Sequence, residues 1–131
     1  MSDFEKVKGY LADLGLTVLV EDPSNQLVIV DDESQGLKNL VIDCESPILI
    51  LEQFVLTLSN KADAAVLRRL LQMNRSVVHG AFVLDDSGEQ VLFRDTLQLD
   101  NLDLNEIEGS INSLSLALAE NAEELIGFAK V

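Results

Sequence analysis

The sequence predicts an α+β fold in which an antiparallel β-sheet is packed by an N-terminal, a middle and a long C-terminal helix. Two strand-like runs flank a polar turn at residues 85–88, which is typical of a β-hairpin. A helical pattern precedes this hairpin and a longer one follows it, so both can pack on its apolar side. Most of residues 17–58 is also predicted to form strands. We therefore expect a single domain over residues 1–131.

The N-terminal part of the chain is predicted to form a short helix followed by strands. The apolar residues of this helix recur at spacings of three and four: Phe4, Val7, Leu11 and Leu14. Gly15 stands where a helix commonly ends in a left-handed residue. Turn-forming residues separate the first two of the strand-like runs that follow. These runs lie at residues 17–21, 26–31 and 37–43.

A central strand and a second helix are predicted next. Residues 48–58 form a nearly continuous apolar run, which is typical of a strand covered on both faces. Pro47 cannot donate to a ladder and therefore suits the start of this strand. Ser59 and Asn60 supply capping oxygens for a helix that ends near Asn74. Its predicted apolar stripe consists of Val66, Leu67, Leu70 and Leu71.

The last segment is predicted to be one continuous helix on the order of 40 Å long, at 1.5 Å per residue. Its apolar positions follow the helical period: Leu104, Ile107, Ile111, Leu114, Leu118, Ala122 and Leu125. Leu116, Ile126 and Phe128 fall outside this stripe. We therefore expect some apolar surface to remain for a second chain.

Charge and composition exclude several classes of partner. The chain has 23 Asp and Glu against nine Lys and Arg, a formal net charge of −14. Such a charge repels nucleic acid and anionic membrane surfaces, and no apolar run approaches the roughly 20 residues of a spanning helix. The N-terminus does not resemble a secretory signal, and the single Cys44 permits no internal disulfide. We expect a cytoplasmic protein.

The only basic cluster consists of Arg68, Arg69 and Arg75. These arginines could receive a carboxylate from a partner or pair with acidic residues of the same chain. The second interpretation is favoured, because surface ion pairs are common and individually weak.

His79 and Asp95 are the polar side chains that most suggest chemistry. A three-residue turn at 86–88 would place them opposite each other across the hairpin, with Asp95 on an otherwise apolar strand face. They could act as an acid–base pair. However, the sequence shows no accompanying nucleophile motif, metal-ligand spacing or phosphate-binding loop. A structural pair or a sheet-edge contact is favoured, and we expect no enzyme activity, metal or cofactor.

Two segments of the second half resemble a known family. They are LRRLLQMN at residues 67–74 and GAFVLDDSGEQVLFRDTLQLDNLDLNEI at residues 80–107. Their order and spacing are similar to those of YbjN proteins and bacterial type III secretion chaperones of the Tir-chaperone kind. The resemblance implies a homodimer that binds segments of other proteins through apolar patches, without ATP or catalysis.

The resulting functional expectation is a non-enzymatic, chaperone-like or regulatory module that holds a partner polypeptide. The candidate apolar surface consists of Val77, Phe82, Leu116, Ile126 and Phe128. Two alternatives stay open. The first is a small-molecule sensor or enzyme with a cleft containing His79 and Asp95. The second is an acidic decoy for the basic site of a nucleic-acid-binding partner, whose binding would weaken steeply with salt.

Overall fold

A six-stranded antiparallel sheet forms the centre of the protein. The computed structural model describes residues 2–131. The strands are β1 (Thr17–Asp22), β2 (Leu27–Asp32), β3 (Leu37–Glu45), β4 (Ile48–Thr57), β5 (Ala81–Leu84) and β6 (Gln90–Gln98). The helices are α1 (Asp3–Asp13), α2 (Ala64–Asn74), α3 (Leu104–Glu120) and α4 (Ala122–Phe128), with a 3-10 turn at Glu33–Gln35. The strand order is β1-β2-β3-β4-β6-β5, which confirms the predicted α+β class.

The helices bury their apolar side chains against one face of the sheet. Cross-strand partners such as Val28 and Ile42 point to the same side, where both are buried. Helix α1 contributes three of its predicted residues to this core: Phe4, Val7 and Leu11. Helix α3 contributes mainly Ile107, Ile111 and Leu114. The core is therefore aliphatic, as the scarcity of aromatic residues predicts.

Cys44 points from β3 into this core and is buried. Burial, together with the nearby carboxylates of Asp3, Asp43 and Glu45, raises the pKa of its thiol to about 11. At pH 8 only about a thousandth of the thiol would then be the reactive thiolate.

We predict that DTNB labels Cys44 of the folded protein at least about a hundredfold more slowly than that of the denatured protein. The measurement is absorbance at pH 8 with and without denaturant, and a Cys44→Ser variant supplies the baseline. Rapid labelling of the folded protein would contradict the buried position of the thiol.

The C-terminal segment forms two helices, which corrects the prediction of one. At Asn121 the backbone leaves helical geometry, with φ −111° and ψ 12°. The Asn121 side-chain amide donates to the Ala117 carbonyl at 2.9 Å, and Asn favours such local bonds that compete with a continuing helix. After this break, Leu125 of α4 reaches the core and Ala129 forms a bridge to Leu58.

Helix α2 (Ala64–Asn74) differs from the prediction in its N-terminal cap and in one residue of its apolar stripe. The Asp63 carboxylate, rather than Ser59 or Asn60, accepts hydrogen bonds from the first-turn amides. Leu70 and Met73 are the buried residues of this helix. Leu71, which was assigned to the apolar stripe, is 72% exposed.

The β5–β6 hairpin is confirmed, but its register differs from the predicted one by one residue. Leu84, not Val83, lies opposite Val91. The turn contains four residues, 86–89, because Asp85 and Gln90 close it with a backbone hydrogen bond of 3.1 Å. The Asp85 carboxylate also accepts from the Gln90 amide and the Ser87 hydroxyl, which stabilises the longer turn.

This shift of one position reverses the two faces of β5. Phe82 points into the core, where it is only 5% exposed, and its ring packs edge-to-face on Phe93 with 5.3 Å between centroids. It therefore cannot belong to an exposed binding surface, which corrects the sequence prediction. His79 also loses its predicted position opposite Asp95, because it precedes the strand and the register has moved.

Strand β4 is central, as predicted, but the helices of residues 2–131 cover only one of its faces, not both as expected. Leu49 and Leu51 point into the core, whereas Ile50 on the other side is half-buried and Phe54 is 52% exposed. The side of the sheet opposite the core is called the outer face. Its residues include Leu27, Ile29, Val41, Asp43, Ile50 and Phe54.

The two edges of the sheet differ. On β5, the Phe82 amide donates to the Asn74 side-chain oxygen at 2.7 Å, and the Asn74 amide donates to the Phe82 carbonyl at 3.1 Å. On β1, the outer edge pairs with no other strand of residues 2–131. Here Val18 and Val20 are exposed, and the register with β2 is irregular between them.

Candidate protein-binding surface

The residues predicted to bind a partner occupy different environments. Val77 and Leu116 lie together in a shallow groove. Ile126 is 75% exposed on α4, whereas Phe128 is half-buried against the core. Phe82 is buried. The structure therefore brings two of the five residues to one place.

The groove lies between α3 and the segment that follows α2. Its lining consists of Ser76, Val77, Val78, Ser113, Leu116, Ala117, Glu120 and Asn121, and it is called the α2–α3 groove. Val78 is 74% exposed and Leu116 is 53% exposed. Adjacent exposed apolar side chains bordered by polar groups are typical of protein–protein contacts. Val78 was missed by the sequence analysis, although it directly follows Val77.

A pair of hydrogen bonds attaches the segment after α2 to α3. The His79 amide donates to the Ser113 hydroxyl at 3.0 Å, and this hydroxyl donates to the His79 carbonyl at 2.7 Å. Gly80 then adopts φ +79° and directs the chain into β5. Because both ends of the segment are fixed, Val77 and Val78 are held in place beside α3.

Among residues 2–131, one of the three arginines in or directly after α2 forms an ion pair and the other two do not. Arg69 binds the Glu124 carboxylate through two nitrogens at 2.8 and 2.6 Å, which ties α2 to α4. The hydrogen bonds and charge of this pair raise the pKa of Arg69 and lower that of Glu124. Arg68 and Arg75 are exposed and form no ion pair within residues 2–131. The favoured pairing with the chain's own acids therefore holds for Arg69 alone.

His79 and Asp95 do not form the predicted pair. The His79 side chain is exposed and lies beside Gly109 of α3. Asp95 accepts a hydrogen bond from the Thr96 amide, while its Oδ2 is buried without a partner among residues 2–131. Asp95 and Ser110 line a cavity of about 10 Å³, which His79 does not reach. That volume admits about one water molecule.

Acidic residues stand next to each other at positions 31–33 and 85–86, where strands end and turns begin. Asp32 accepts from the Ser34 hydroxyl and Asp85 from the Ser87 hydroxyl, at 2.6 Å each, and these bonds lower the pKa of both carboxyls. Within residues 2–131, no three His, Cys, Asp or Glu side chains converge as a metal site would require. The same residues contain no helix with the length and apolar character needed to cross a membrane.

The whole chain matches a family model. The CesT_Tir_1 model covers residues 1–131. No curated protein sequence matches the chain.

Solved structures share its fold. YbjN from E. coli superposes with a TM-score of 0.69 at 15% identity, over 92% of each chain. The HopA1–SchA chaperone–effector complex gives 0.61 at 14% identity, over 98% of this chain and 94% of that one. The ExoU–SpcU heterodimer of the Pseudomonas aeruginosa type III secretion system gives 0.60 at 15% identity, over 95% and 98%. At these identities the likeness shows the fold.

Proposed function

We propose that this chain, which belongs to the CesT_Tir_1 family of type III secretion chaperones, is a chaperone-like module that binds a partner polypeptide and has no catalytic activity. The observation that carries the proposal is the apolar surface left open to solvent in two places: Val78 and Leu116 in the α2–α3 groove, and Phe54 on the outer face of the sheet. HopA1–SchA is a chaperone–effector complex, which supports a protein as the partner of this chain as well. The buried free thiol of Cys44 fits a reducing compartment, and we extend the proposal to the cytoplasm.

We further propose that the chain works as a homodimer joined through the α2–α3 groove. In a twofold dimer both protomers contribute the same surface patch, so this patch must be complementary to itself. Val78 and Leu116 would form the apolar centre. The exposed Arg75 of one protomer could then face Glu120 of the other, which would offset part of the repulsion between two chains of charge −14.

The dimer predicts that Val78→Asp and Leu116→Asp convert the protein to a monomer. Burying a carboxylate in an apolar contact should raise the dimer dissociation constant by about a hundredfold, roughly 2.7 kcal/mol. Light scattering during size-exclusion chromatography measures the mass, and thermal unfolding shows whether the fold persists. Ile126→Asp is the matched control, because Ile126 is equally exposed but lies on α4 outside the groove.

Two results would contradict these proposals separately. The homodimer proposal would be contradicted if the wild-type protein were a monomer at high concentration or if the groove variants remained dimeric. Failure of the tagged native protein to co-purify with any polypeptide from its own cells would remove the partner-binding role. The cleft hypothesis gains no support from the structure, since the cavity beside Asp95 is too small for a metabolite and excludes His79.

A further inference from the structure

The outer face of the sheet is apolar at its centre, and the helices of residues 2–131 bury their side chains on the opposite face. Strand register places its central side chains in two adjacent rows. The rows are Leu27–Asp43–Ile50 and Ile29–Val41–Glu52. The four aliphatic residues in them are only half-buried although they lie on the middle strands, and Phe54 extends the surface with 52% exposure. This leaves a continuous apolar strip that is partly accessible to solvent and most accessible at Phe54.

Acidic side chains interrupt and border this strip. Asp43 and Glu45 are two positions apart on β3 and therefore point to the same side. Glu52 already binds Arg94, at 2.7 Å between Oε2 and Nη1. Lys38 lies at the far end, beside Phe54. The end of the strip at Asp43 and Glu45 is thus negative, and neither carboxylate forms an ion pair among residues 2–131.

Asp43 is placed unfavourably for an isolated protein. Its Oδ1 is buried with no hydrogen-bond partner among the described residues. Burial, followed by the hydrogen bond and charge of Glu45, raises the pKa of the Asp43 carboxyl. A carboxylate that is partly desolvated beside a second acid gains from any cation that approaches it. A Lys or Arg side chain would supply both the donor and the charge.

We propose that the outer face docks a segment of the partner polypeptide in which a Lys or Arg is flanked by apolar residues. The apolar residues cover the aliphatic strip, and the cation lies against Asp43 and Glu45. This inference rests on the proposed protein-binding role and adds the chemistry of the bound segment. A second copy of this chain is a poor source of the required cation, because it has only nine Lys and Arg against 23 Asp and Glu.

The test uses dye-labelled synthetic peptides with a repeating Ser–Leu–Lys, Ser–Leu–Gln or Ser–Leu–Glu pattern, with affinity measured by fluorescence anisotropy. The Lys peptide should bind most tightly to the wild-type protein and the Glu peptide least. Asp43→Asn and Ile50→Ser should each raise the dissociation constant of the Lys peptide by about tenfold. Asp13→Asn, which removes the same charge from an exposed site on α1, should change it by less than about twofold.

The melting temperature provides a second measurement. A purely structural role of Asp43 would not give the result that the proposal predicts for it. Asp43→Asn removes a destabilised charge, so this variant should melt at a higher temperature than the wild-type protein while binding the peptide less well. Equal losses from Asp43→Asn and Asp13→Asn would reduce the binding to general attraction and overturn the proposal. Absence of peptide binding to the wild-type protein would also overturn the proposal. Loss of the dimer in Ile50→Ser would overturn it as well, because it would assign the outer face to a second copy of the chain. Groove variants such as Val78→Asp should leave peptide binding intact, so the two proposals can fail independently.

Discussion

Gly80→Ala should destabilise the protein by about 3 kcal/mol or more. Gly80 has φ +79°, a conformation that an L side chain adopts only with strain. A Cβ there would also lie 2.7 Å from the Phe93 ring, 2.9 Å from the Arg94 carbonyl oxygen and 3.1 Å from the Asp95 Cβ. The carbonyl belongs to a paired strand and cannot move without disturbing the sheet. Denaturant unfolding followed by circular dichroism measures the loss.

The Gly88→Ala variant separates backbone strain from steric conflict. Gly88 has nearly the same φ, +74°, but a Cβ there would meet nothing within 4 Å. Gly88→Ala should therefore lower the free energy of unfolding only by the cost of the left-handed backbone, about 1 kcal/mol. If the two variants lost equal stability, the close approach of Gly80 to β6 would be wrong.

Asn74→Ala should lower the free energy of unfolding by about 2 kcal/mol, the second largest effect expected on folding stability. Asn74 stands at the end of α2, and its amide makes both outward backbone hydrogen bonds of Phe82. In this way a side chain takes the place of a neighbouring strand. Removal leaves an N–H and a C=O on the edge of β5 with only water as a partner. Denaturant unfolding measures the stability, and hydrogen exchange of the Phe82 amide, followed by NMR, should become faster.

The matched control for this variant is Asn112→Ala on α3. Asn112 is exposed and takes part in none of the hydrogen bonds that join α3 to other elements among the described residues. Its replacement should be neutral or slightly stabilising, because Ala has the higher helix propensity. An Asn74→Ala protein as stable as the control, with unchanged exchange at Phe82, would show that the amide does not support the edge.

Local patterns in the sequence predicted most of the helices and strands, although not the break at Asn121 that divides the C-terminal segment into two helices. The spacing of Phe4, Val7 and Leu11 predicted the buried side of α1, and the residue types around 85–88 predicted the hairpin. The alternation in β6 correctly assigned Val91 and Phe93 to the core face. Each of these signals depends only on residues that are close in sequence.

Features set by particular side-chain hydrogen bonds, either within a turn or between distant segments, were predicted less well. The hairpin register depends on the hydrogen bonds that Asp85 makes within its own turn, and an error of one residue exchanged the faces of β5. Phe82 was therefore placed on the surface. The α2–α3 groove depends on the contact between His79 and Ser113, which are 34 residues apart. No local pattern contains that contact, so Val78 was not recognised.

The unlike edges of the sheet limit how copies of this protein can join by strand pairing. Two molecules that align their β1 strands would form one doubled sheet, and both of its remaining margins would be β5 strands, on which Asn74 occupies the outward backbone groups of Phe82. Pairing of this kind therefore stops after a single joining event. It cannot propagate into a cross-β fibre, even though β1 itself is apolar and open.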